Sequence, residues 1–226
     1  MKRPSGKSGV NASAKRASSR PAGKAHGEKP LDLYAAHRAE YVTPKTPVLV
    51  RVGSARYLGI TGRGAPGGDA FTEAIGALYG VTFTVKMARK FAGTLYTVSK
   101  LEGLWWGDRD GNFMSQPREQ WNWQLLIRTP EFITSPEVEL AVATLIDRGK
   151  SSRVQDVGLV TLDEGLCVQM LHIGPYTEEQ RTLEQMHRAA EAEGRRVHGR
   201  HHEIYLSDPR RVAPERLRTI LRLPVV

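Results

Sequence analysis

Tyr57-Leu58-Gly59-Ile60-Thr61-Gly62-Arg63-Gly64-Ala65-Pro66 and Cys167-Val168-Gln169-Met170-Leu171-His172-Ile173-Gly174-Pro175 follow one plan. Each is an apolar run of strand length that breaks on glycine and proline. Each then gives way to helical spacing. The first helix runs through Phe71, Ile75, Leu78 and Tyr79, with Asp69 as N-cap and Gly80 as its stop. The second runs through Leu183, Met186 and Ala190, with Thr177 as N-cap, Gln180 completing a capping box and Gly194 as its stop. Two strand-like segments close each half. Leu101–Trp105 is answered by His202–Leu206, and Gln124–Pro130 by Arg218–Pro224. The chain reads as an internal duplication of a strand–helix–strand–strand unit, an α+β fold.

Module 1 spans about 48–130 and module 2 about 154–226, with a helix over Ser135–Asp147 between them. The leading strands are Val48–Val52 and Val157–Leu162. A further strand is expected at Val81–Val85, after the Gly80 stop, and others at Thr94–Leu104 and Trp121–Ile127, separated by a polar turn at Gly107–Gly111. Leu31-Asp32-Leu33-Tyr34 forms a short helical lead-in.

The chain of 226 residues carries a net charge of +9, but the charge is not evenly spread. Residues 1–30 hold eight Lys/Arg and only Glu28 as an acid, leaving 25 bases against 23 acids elsewhere. The globular part is therefore nearly neutral. Residues 1–29 have almost no large apolar side chain and read as a disordered basic tail, one that offers nucleic acid a weak electrostatic contact. The tail lacks the apolar centre of a secretory signal. No apolar run approaches the ~20 residues of a spanning helix, so no membrane partner and a cytoplasmic location are expected. The single cysteine, Cys167, excludes an intrachain disulfide and any multi-Cys zinc site.

The chemistry concentrates on the closing strands. Strand alternation sets His201, Glu203 and Tyr205 on one face, with His202, Ile204 and Leu206 on the other. The repeat alignment makes Glu102 and Glu203 equivalent. All four tryptophans fall between Trp105 and Trp123. Aromatic walls around a carboxylate suit a planar or cationic organic ligand, and burial among aromatics raises a carboxyl pKa toward the range useful in acid–base work. No metal is expected, because the adjacent His201 and His202 point to opposite faces and cannot share one ion.

Leu101-Glu102-Gly103-Leu104-Trp105-Trp106, Leu171-His172-Ile173-Gly174-Pro175-Tyr176, His201-His202-Glu203-Ile204-Tyr205-Leu206-Ser207-Asp208-Pro209 and Leu217-Arg218-Thr219-Ile220-Leu221-Arg222, in this order, resemble the GyrI-like small-molecule-binding proteins. The resemblance covers residues 48–226. It implies two duplicated SHS2-like modules around a central ligand cavity. It is strongest to stand-alone hydrolases that open the cyclopropane ring of DNA-alkylating natural products. In such hydrolases a glutamate among aromatics directs water onto the strained ring; in drug-responsive regulators the matching glutamate receives a cation. The resemblance thus implies Glu203 as general base, with Tyr205 and Trp106 as catalytic neighbours. Glu102, Trp105, Trp123, Tyr176 and His201 then bind ligand, Glu102 also tuning Glu203. No cofactor is implied. The partner is a hydrophobic or cationic small molecule, hydrolysed or sequestered. A non-catalytic drug-binding or gyrase-modulating protein is the other reading. With only a tail and one short helix before residue 48, a DNA-reading activator is not expected.

Overall fold

The structure is a computed structural model that describes residues 29–108 and 113–226. The basic tail, apart from Lys29, and most of the Gly107–Gly111 turn lie outside the described residues.

The strands are β1 (Val48–Val52), β2 (Ala55–Arg63), β3 (Leu101–Trp106), β4 (Asn122–Arg128), β5 (Gly158–Leu162), β6 (Gly165–Ile173), β7 (His201–Tyr205) and β8 (Arg218–Pro224). They form one sheet in the order β1-β6-β8-β7-β3-β4-β2-β5, with antiparallel pairing throughout. The helices are α1 (Leu33–Ala36), α2 (Asp69–Phe91), α3 (Ser135–Asp147) and α4 (Glu179–Ala192).

The duplication is real, and its leading strands are exchanged: β1 pairs with β6 of module 2, and β5 with β2 of module 1. Val52 and Ala55 are joined through Gly53 and Ser54, yet β1 and β2 stand six places apart in the sheet. Flat, six places span about 29 Å, whereas three residues of chain reach only about 11 Å. The sheet must therefore curl back on itself. The Asp163-Glu164 link between β5 and β6 imposes the same closure. Curling gives the sheet a concave inner face and an outer face that carries the helices.

One expected element is absent. Residues 81–85 are not a strand, because α2 continues through Gly80 to Phe91. Ala74, Ala77, Leu78, Val81 and Val85 keep helical spacing and are all buried. Gly80 faces Leu145 of α3. The Thr82 and Thr84 hydroxyls donate back to the Leu78 and Gly80 carbonyls at 2.8 Å, as helical threonines do. Burial here overrides the strand propensity of β-branched residues. The helix ends before Gly93, at φ +88°. The proposed Thr177 cap is also replaced: Tyr176–Glu178 forms a 3₁₀ turn and α4 starts at Glu179. β3 begins at Leu101 rather than Thr94. The lead-in helix is α1, and α3 lies where expected, opened by a Thr134–Glu137 capping box.

The inner face is closed by residues 38–42 and holds a buried polar cluster. His202 is fully buried between two carboxylates, with Nδ1 2.9 Å from Glu164 and Nε2 3.0 Å from Glu102. Arg222 donates to Glu164 at 2.8 Å, to the Gln169 side chain at 2.8 Å and to the Glu40 carbonyl at 2.6 Å. Tyr41 donates to Glu102 at 2.9 Å. Burial opposes the His202 charge, but Glu164 and Glu102 more than offset it and carry its pKa up to about 9. Burial likewise opposes ionised Glu164, yet His202 and Arg222 hold it down to about 2.

The signs give a stability profile. The Glu164 contribution is present above the ordinary carboxylate value of 4.5 and is lost as pH falls toward 2. The His202 contribution is present below 6.5 and is lost as pH rises through 9. The chemical-denaturation midpoint should therefore peak between these ordinary values and fall on both sides. His202→Gln should lower the peak by about 3 kcal/mol, because it strands two buried carboxylates, and should flatten the alkaline limb.

Candidate functional site

The ladder registers bring out a relation that the repeat alignment misses by one residue on β3 and β7 and by two on β4 and β8. They carry Ala55–Arg63 onto Gly165–Ile173, Leu101–Trp106 onto His201–Leu206 and Asn122–Arg128 onto Arg218–Pro224. Glu102 thus answers His202, Trp105 answers Tyr205, and Glu203 answers Gly103. Glu203 pairs directly with Gly103 across the β3–β7 ladder, so this pair sits on the pseudo-twofold axis. One mate carries a carboxylate and the other no side chain. A Cβ on Gly103 would come within 2.9 Å of the Tyr205 hydroxyl and 3.1 Å of Trp105 Nε1. The glycine leaves the space in which those two side chains meet.

Around Glu203 the outer face is aromatic. Trp105 and Trp123 are register neighbours. Phe71 of α2 stacks on Trp105 at 5.5 Å and meets Trp123 edge-on at 5.4 Å. Trp121 stands edge-on to Trp105 and to Phe113, and Phe113 lies over the His201 ring. Trp105 Nε1 donates to the Tyr205 hydroxyl at 3.2 Å. Tyr205 is hydrogen-bonded in turn to Glu203, and the Tyr176 ring is edge-on to Tyr205. Burial first, and the negative charge of Glu203 second, raise both tyrosine hydroxyls, Tyr176 to about 12 and Tyr205 well above its usual range. Both remain proton donors at neutral pH.

Glu203 has a carboxylate partner, and it is Glu179 at the start of α4. Glu179 is 2% exposed and Glu203 8%. Burial and the adjacent Glu203 charge raise Glu179 well above the ordinary carboxyl value. His201 Nε2 lies 3.1 Å from Glu203 Oε1 and 4.0 Å from Glu179 Oε2. Glu179, His201 and Glu203 each offer a ligand atom, all within 4.8 Å of one another. They have the donor types for a divalent cation. His201 Nδ1, however, is buried with no partner, without the outer hydrogen bond that normally orients a ligating imidazole.

The structure thus gathers Glu203, Tyr205, Trp105, Trp123, Tyr176 and His201 on one wall. It separates two other expected site residues. Glu102 and Trp106 alternate onto the inner face, where Glu102 pairs with His202 and Trp106 lies beneath Arg200, 3.7 Å from its guanidinium. Glu102 therefore cannot tune Glu203 by contact, and Trp106 does not share its face of the sheet. The one-residue shift in the repeat alignment is the cause, since a slip of one moves every side chain to the opposite face. Glu179 was missed because a helix beginning at Thr177 reads it as part of a solvated first turn. Its one sequence signal is its place just after the Gly-Pro-Tyr break, where the helix returns to the sheet.

A GyrI-like small molecule binding domain matches residues 45–226. Comparison with curated proteins gave no match. Among solved structures, an uncharacterized conserved protein from Listeria innocua is 34% identical, with a TM-score of 0.81, covering 87% of this chain and all of that one. A hydrolase encoded by lin2189 from the same organism is 33% identical, with a TM-score of 0.80, covering 88% of this chain and all of that one. The EcmrR C-terminal domain, 10% identical with a TM-score of 0.54, covers 80% of this chain and 97% of that one and shares the fold.

Two outcomes test the geometry. Gly103→Ala should push Tyr205 from Trp105, shift the tryptophan emission and cost about 1–3 kcal/mol in denaturant titration. Glu179→Gln should raise the denaturation midpoint at pH 8 and leave it unchanged at pH 4. The carboxyl with a raised pKa costs stability only above its unfolded value.

Proposed function

The chain belongs to the GyrI-like small molecule binding domain family, and we propose that its ligand is a hydrophobic electrophile that it detoxifies by adding water. The observation that carries this reading is the buried Glu179–Glu203 pair inside an aromatic wall, where burial and the neighbouring Glu203 carboxyl raise the Glu179 pKa well above its ordinary value. The hydrolase from Listeria innocua, similar over its whole length, supports the choice of reaction class.

The chemistry divides between the two acids. Glu203 accepts a proton from water as the water oxygen bonds to the electrophilic carbon. The strained bond at that carbon breaks, and its electron pair moves onto a conjugated acceptor atom such as a carbonyl oxygen. Glu179 gives its proton to that atom. A proton passing from Glu203 to Glu179 then restores the start, and the net change is one water added. Trp105 holds the Tyr205 hydroxyl, and Tyr205 fixes the Glu203 carboxylate. The packed rings of Trp105, Trp123 and Phe71 exclude bulk water from the Glu203 side of the sheet.

Incubation of wild-type protein with cyclopropane-bearing alkylators should yield, by mass spectrometry, a product heavier by one water. Glu203→Gln should slow its formation about a hundredfold or more while ligand still quenches tryptophan emission. Quenching by wild type with no product at all would instead make this a binding protein, with Glu203 as a counter-charge for cationic ligands.

A further inference from the structure

Water addition by Glu203 and Glu179 leaves His201 without a part. Glu179 enters the outer wall from the first turn of α4, and His201 and Glu203 from alternate positions of β7, which share a face. Among the described residues this is the one group of three metal-ligating side chains whose donor atoms all lie within 4.8 Å of one another. All three side chains are buried, Glu203 the least so. His201 and His202 do point to opposite faces and share no ion. The oxygens beside His201 come from α4 and from its own strand instead.

The separations suit a small cation. Donors held about 2.1 Å from a tetrahedral centre lie about 3.4 Å apart. His201 Nε2 stands 3.1 Å from Glu203 Oε1 and 4.0 Å from Glu179 Oε2, on either side of that spacing. One imidazole with two carboxylates and no thiolate suits Zn2+ and its neighbours in the first transition row rather than a soft ion such as Cu(I).

A second observation points to the same place. Glu179 is 2% exposed, its carboxyl faces Glu203 and His201, and its Oε1 is buried with no hydrogen-bond partner. Buried polar atoms are nearly always satisfied, and one left without a partner carries its full desolvation cost. A cation between the two carboxyls removes that cost and offsets their mutual repulsion.

We propose that Glu179, His201 and Glu203 form a site for one divalent cation of the zinc class, held by a single nitrogen and two carboxylate oxygens. His201 Nδ1 has no partner to fix the ring, and such an outer bond is worth about 10- to 100-fold in affinity. The ion is therefore exchangeable rather than a permanent part of the fold. Binding of the ion stands apart from the hydrolase reading. On that reading, a seated ion occupies the Glu203 oxygen that takes the proton of water, and the loaded protein is inactive.

The test uses the full chain, stripped of metal with EDTA, and Zn2+ itself. Isothermal titration at pH 8 should give one ion per chain, and the ion should raise the denaturation midpoint because it favours the folded state. Glu179→Gln and His201→Gln should each weaken binding about a hundredfold or more, since losing a ligand costs at least as much as losing its outer partner. Glu179→Gln carries the test if His201→Gln misfolds. Its metal-free midpoint is expected above that of wild type, yet zinc should no longer raise it. Glu178→Gln, an exposed neighbour, should bind as wild type does. No binding by wild type, or undiminished affinity in Glu179→Gln, would overturn the proposal. So would an equal loss in Glu178→Gln, the mark of diffuse attraction to an acidic helix start. None of these readouts uses turnover, so failure of the ion site and failure of the hydrolase reading are separate results.

Discussion

The two-residue links Gly53-Ser54 and Asp163-Glu164 are the constraint on which the architecture rests. Each joins strands that stand six places apart in the sheet, and neither can span a flat sheet. The sheet therefore curls, the leading strands exchange between modules, and an inner face closes off. That closure makes a cluster as costly as Glu102–His202–Glu164–Arg222 sustainable. Each charge is surrounded by partners, and Glu164 in one of the tight links ties that link to the middle of the sheet.

The same curl leaves the outer face convex at the β3–β7 ladder, where the two modules meet. Positions on a pseudo-twofold axis need not be identical, and here they are not: Glu203 faces Gly103. The duplicated frame thus holds one carboxylate on its axis, with Trp105 and Tyr205, themselves mates, joined by a hydrogen bond beside it. The second carboxylate comes from a helix end rather than from the matching strand. The site is asymmetric chemistry on a near-symmetric scaffold.

Much of this was legible. The duplication, the α3 helix, the strand alternation of His201–Tyr205 and the grouping of the tryptophans with Glu203 follow from periodicity and punctuation. The length of α2 was not legible, because Val81-Thr82-Phe83-Thr84-Val85 after a glycine has strand propensity, and only packing against the sheet and α3 overrules it. The pairing of glutamates was misread because repeats of unequal loop length can be aligned one residue out with little loss of similarity.

The amino-acid sequence by itself determined the family, the two-module plan, the nearly neutral body with its basic leading segment, and the aromatic neighbourhood of Glu203. These depend on local pattern and composition, which are carried residue by residue. Only the tertiary structure decided which glutamate stands beside Glu203. The face that a strand residue occupies is fixed by inter-strand register, and register is set by hydrogen bonds to partners about a hundred residues away. It placed Glu179 against Glu203 and Glu102 behind the sheet, with His202.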